Sequence, residues 1–175
     1  MNSSVFFYYL SEFSKGIFFF ISIFFLMNIE ISLSFFPIFN TATPSLVSIV
    51  IYLCIKKFSI VPSNLNLFFI GVLNDIFFGG NLGLSSIFFL LFKYLTELVS
   101  NDDINKNYEE DWLYFTLIFV SSFTIIFIMN ILTNLKVPDL SPILYHIGIT
   151  LIIFPIINIS IDLVYFITKL LKNDI

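Results

Sequence analysis

Asp75 stands four residues after Gly71 and four before Gly79, in the segment Gly71-Val72-Leu73-Asn74-Asp75-Ile76-Phe77-Phe78-Gly79-Gly80-Asn81-Leu82-Gly83. On a helix this spacing places the carboxylate and both glycines on one face. Glycines let a second helix come close, and a carboxylate between them either hydrogen-bonds across the contact or holds a ligand or ion. Both readings stand on the sequence alone. Glu30, Asn134 and His146 are further polar residues in apolar surroundings. Histidine titrates near neutrality and a carboxylate beside it favours its charged form, so Glu30, Asp75, Asn134 and His146 at one depth would make a proton-linked polar cluster. The alternative is that each hydrogen-bonds at a helix contact.

Other chemistry has little to draw on. Gly83-Leu84-Ser85-Ser86 departs at Ser86 from the Gly-x-Ser-Gly pattern of intramembrane serine hydrolases, and pairing Ser85 with His146 asks only for a serine and a histidine. One histidine and one cysteine, Cys54, supply no usual metal-ligand set and no intrachain disulfide. No glycine-rich phosphate loop is present. The expectation is therefore no catalytic residue, no cofactor and no metal.

The elements that must position these residues are apolar helices. Of 175 residues, 58% are hydrophobic and 11% charged, where a soluble domain carries about 25% charged. A crossing takes about 20 residues, which leaves room for about six. The net charge of -4, with every basic residue a lysine, argues against nucleic acid as a partner. The excess of Phe, Ile, Asn and Lys reads as compositional drift. No basic stretch precedes the first apolar run and no small-residue cleavage site follows it, so it reads as retained.

The pattern predicts a single all-α integral membrane domain over 1–175. Residues 1–15 form an interfacial or cytoplasmic segment, with Phe6, Tyr9, Leu10 and Phe13 on one face. Transmembrane helices follow at 16–36, 44–57, 62–79, 82–99, 112–132 and 140–170. Pro44, after Thr43, and Pro62 are expected in the first turns of helices two and three, where proline lacks an N–H that would otherwise be orphaned. Gly79-Gly80-Asn81 marks a turn. Residues 100–111 form an acidic cytoplasmic loop, Trp112 lies at a membrane edge, and Pro155 is expected to kink the last helix.

Lysine placement orients the bundle. With both termini inside, Lys15, Lys56, Lys57, Lys93, Lys106, Lys169 and Lys172 fall on the cytoplasmic side and only Lys136 outside. Helices two and three are short, and a re-entrant hairpin is the rival. It would bury Lys56 and Lys57 at its tip, at about 2.5–3.5 kcal/mol each. In the six-crossing arrangement Glu30, Asp75, Asn134 and His146 all lie in the outer half.

The run from Pro44 through Pro62 to Gly83 resembles the rod shape-determining protein MreD family. Its pattern, approximately Gly-Leu-Leu-x-Asp-x-x-x-Gly-x-x-x-Gly, is matched in register by Gly71, Asp75, Gly79 and Gly83, and Phe154-Pro155 stands where the family often has Trp-Pro. The absence of arginine is a departure. The resemblance implies a non-catalytic scaffold of the cell-elongation machinery in the bacterial inner membrane, supporting rod shape and lateral peptidoglycan synthesis. MreC would be its main partner, with MreB, RodA and its transpeptidase bound directly or through MreC, and membrane lipid around it. The family is similar in fold to the substrate-binding S components of energy-coupling-factor transporters, so binding of a vitamin-type small molecule is the alternative.

Overall fold

The computed structural model describes the backbone of residues 3–37, 39, 42–58, 61–100, 108–134 and 138–173, and their side chains except at 3–13, 15, 100, 108, 109, 134 and 164–173. Among the described residues the chain is all-helical: α1 (Ser3–Ser34), α2 (Leu46–Lys56), α3 (Asn64–Phe78), α4 (Leu84–Ser100), α5 (Tyr108–Asn134) and α6 (Leu140–Asn173). Among the described residues three helices carry stretches long and apolar enough to cross a membrane, Gly16–Ser34, Glu110–Thr133 and Leu140–Leu163. Phe18, Phe25, Leu117 and Ile152 on these stretches are exposed, as expected where the surrounding medium is hydrocarbon.

Polar and aromatic contacts fix the helix directions. Asn74 bonds Ser85 at one end of α3 and Asn64 bonds Lys93 at the other, so α3 and α4 are antiparallel. Phe88 meets Phe123 while Phe92 meets Phe115, which makes α4 and α5 antiparallel. Phe123 lies against His146 and Phe115 against Phe154, so α5 and α6 are antiparallel too. Ser45 reaches Thr150 and Lys57 reaches Asp162, both 105 residues on, so α2 and α6 run parallel. Glu30, near the end of α1, meets Val47 at the start of α2, completing an up-and-down order.

The shortest helix is the most enclosed. α2 has 11 residues and rises about 16 Å at 1.5 Å per residue, yet Val47, Ser48, Ile49, Ile51, Tyr52, Leu53 and Ile55 are all buried. It touches α1, α4 and α6 along its backbone and α5 through Tyr52 and Phe115. Neighbouring helices, rather than lipid, surround it, which removes the length requirement that a lipid-facing helix meets.

Several expected boundaries move for identifiable reasons. Pro44 and Pro62 precede their helices instead of occupying the first turns: α2 starts at Leu46, and α3 at Asn64 behind Ser63, whose hydroxyl accepts from the Asn66 amide at 3.2 Å. α1 is continuous from Ser3, so no break separates an interfacial segment from a crossing; the side chains proposed for its apolar face lie outside the described residues. α5 starts at Tyr108 and takes Glu109, Glu110 and Asp111 out of the acidic loop, because carboxylates are favourable in a helix's first turn. Residues 101–107 of that loop lie outside the described residues.

Candidate functional site

The conspicuous carboxylate of the sequence is occupied in joining two helices. α3 ends at Phe78 with Gly79 in the left-handed conformation at φ +67°, and Gly83 turns the chain at φ +96°. Only glycine adopts these angles without strain. The two turns fold the start of α4 back onto Asp75, which is 4% exposed. Its Oδ2 accepts from the Gly83 amide at 2.6 Å and its Oδ1 from the Ser85 amide at 3.2 Å. A carboxylate at a helix N-terminus satisfies orphaned amides and meets the positive end of the helix dipole.

The glycines therefore divide their work. Gly71 is a packing residue: a Cβ there would collide with the backbone of Ser86, whose hydroxyl donates to the Phe68 carbonyl at 2.9 Å. Gly79 is not part of that contact, since a Cβ on it would meet nothing within 4 Å. The expected shared helical face is thus a contact at Gly71, a cap at Asp75 and turns at Gly79 and Gly83.

Glu30 repeats the arrangement on α2. Its Oε1 accepts from the Val47 amide at 2.8 Å, and Glu30 is 5% exposed. The hydroxyl of Ser45, the residue before α2, bonds Ser48 and leaves the Val47 amide to Glu30 of α1. The Ser45 amide donates to Thr150 Oγ1 at 3.0 Å, and that hydroxyl donates to the His146 carbonyl at 2.7 Å. His146 Nδ1 lies 2.5 Å from the Thr43 carbonyl, which can only accept, so Nδ1 carries the proton.

Glu30, Asp75 and His146 line one cavity of about 640 Å³ between the helix starts and the α3–α4 turn. Comparison with protein-family models, curated proteins and solved structures finds no match. Among the described residues no hydrogen bond or ion pair joins His146 to either carboxylate; each engages backbone of another element. The Ser85 hydroxyl accepts from the Asn74 amide group at 2.9 Å rather than meeting His146. The side chain of Asn134, expected in this cluster, lies outside the described residues; Asn74, Asn81 and Asn130 supply amides to the wall instead.

Toward the other end, three contacts had no mark in the sequence. Lys57 Nζ bonds Asp162 Oδ1 at 2.5 Å and the Asn158 carbonyl at 3.4 Å, tying the end of α2 to α6. Tyr52, buried on α2, donates to the Asp111 carbonyl at 3.2 Å. Trp112 Nε1 donates to the Leu151 carbonyl at 3.0 Å. Leu151 lies four residues before Pro155, so its carbonyl is the one that proline leaves without a helical donor. Lys93, with its side chain 12% exposed, pairs with Glu97 one turn on at 3.5 Å and also donates to Asn64.

Proposed function

We propose that this chain is a non-catalytic membrane scaffold of the MreD type, acting in the cell-elongation machinery of a bacterial inner membrane. The supporting observation is the use made of Gly71, Asp75, Gly79 and Gly83: the pattern that carries the resemblance is spent on packing and capping one helix hairpin. Asp75, Ser85 and His146 are all held by partners within the bundle, and a group so held serves shape before reaction. In this reading all six helices cross, with both termini cytoplasmic, and the up-and-down order of the contacts supports that count. MreC docks on the lipid-facing and outer surfaces, bringing MreB, RodA and its transpeptidase into one assembly. Replacing the chromosomal copy with Asp75→Leu removes the cap of α4 and should make rod cells round, whereas Asp75→Asn keeps one accepting oxygen for the Gly83 amide and should preserve shape. Rods in both backgrounds would contradict the proposal.

The cavity favours a second reading, that of a small-molecule-binding protein similar to the S components. Its volume lies within the range of ligand sites, about 300–1,000 Å³. Mass spectrometry of the protein extracted in mild detergent tests this reading: a stoichiometric small molecule supports it, and its absence together with no binding in titration opposes it.

A further inference from the structure

We infer that the cavity takes an organic ammonium ligand, an amine borne on an aromatic or aliphatic body. The inference rests on the second reading, that a small molecule binds there, and adds the chemical class.

Charge selects the sign. Glu30 and Asp75 both line the cavity, and among the described residues no lysine does. An anion would gain from helix N-termini in principle, but the starts of both α2 and α4 are already met by these two carboxylates. The walls thus offer a cation the carboxyl oxygens of two buried side chains in surroundings of low dielectric.

Hydrogen-bonding capacity points the same way. With its Nδ1 proton given to the Thr43 carbonyl, neutral His146 has an Nε2 lone pair that accepts. Among the described residues Nε2 has no hydrogen-bond partner, and His146 is part of the cavity wall. A ligand that brings N–H donors completes this group, whereas a carboxylate or phosphate does not.

The remaining wall is aromatic. Phe39, Phe78, Phe88, Phe89 and Phe123 surround the polar groups. Aromatic faces attract cations, by about 2 kcal/mol or more when desolvated, and they also pack an apolar ligand body. Two carboxylates, an accepting imidazole nitrogen and five phenyl rings together describe a site for an amine with an apolar skeleton.

Calorimetric titration of the full chain in lipid nanodiscs at pH 7 tests this with three probes that share the indole skeleton: tryptamine, neutral tryptophol and anionic indole-3-acetate. Tryptamine should bind at least tenfold more tightly than tryptophol, and indole-3-acetate should show no heat of binding. Glu30→Gln retains an oxygen for the Val47 amide while removing the carboxyl group. It should weaken tryptamine at least tenfold and leave tryptophol within about twofold. If that variant fails to fold, Asp75→Asn supplies the same contrast. Tryptophol or indole-3-acetate binding as tightly as tryptamine, or tryptamine binding unaltered by both variants, would overturn the ammonium class while leaving ligand binding intact. No binding of any of the three would overturn the ligand-binding reading with it.

Discussion

Pro155 and Trp112 show how one side chain repairs the backbone defect of another. Proline removes the amide that the Leu151 carbonyl would accept from, and the indole N–H of Trp112 takes its place at 3.0 Å. α6 accordingly continues as helix through Pro155. Trp112→Phe should lower stability by about 1 kcal/mol in the native background. In a Pro155→Ala background, where the amide returns, its cost should nearly vanish; equal costs in the two backgrounds, measured by thermal unfolding in detergent, would refute the repair. At Gly71 the expectation is steric: Gly71→Ala drives a methyl into the Ser86 backbone and should cost about 1–3 kcal/mol. Gly148→Ala, with open space around it in α6, should leave the melting temperature unchanged or raise it. The sequence made Gly71, Asp75, Gly79 and Gly83 conspicuous but not their separate roles. Whether a glycine continues a helix or ends it in the left-handed region depends on which amide Asp75 captures, and backbone amides carry no signature in side-chain types.

Elements were legible wherever apolar runs were long. α1, α5 and α6 follow from hydropathy, and the turn at Gly79 to Gly83 follows from its glycines. The place of α2 was not legible, because an 11-residue apolar helix reads alike as a short crossing, a re-entrant arm or a core element. Partners more than 100 residues away decide it: Thr150 at its start and Asp162 at its end. The phenylalanine excess, expected to be drift, is partly architectural. Phe88, Phe92, Phe115, Phe119 and Phe154 form a continuous aromatic seam across α4, α5 and α6, with the Phe115 and Phe154 rings stacked at 4.2 Å. Phe115→Ala should therefore cost about 3–5 kcal/mol, while Phe18→Ala, on the exposed surface of α1, should stay within about 0.5 kcal/mol in the same unfolding assay. Similar losses at both positions would show that the seam contributes no special stability. At the end of α2, a double-mutant cycle on Lys57 and Asp162 should give a coupling of about 0.5–1 kcal/mol, since Asp162 is 37% exposed and its pair is partly screened.

At the scale of the molecule, scarcity of charge places the chain in a membrane, and the buried carboxyl groups of Glu30 and Asp75 meet the first turns of helices. The up-and-down contacts bring the starts of α2 and α4 and the first part of α6 to one end of the bundle. The cavity lined by Glu30, Asp75 and His146 belongs to the assembly surface of a scaffold in the first reading, and to a ligand in the second. The central claim is the partnership with MreC. Affinity purification of the tagged chain from its native membranes in mild detergent, with the co-purifying proteins identified by mass spectrometry, tests it most directly. The scaffold account predicts MreC in near-stoichiometric amount, retained with Asp75→Asn and lost with Asp75→Leu. Recovery of an ATPase pair with a membrane coupling subunit, and no MreC, would contradict it.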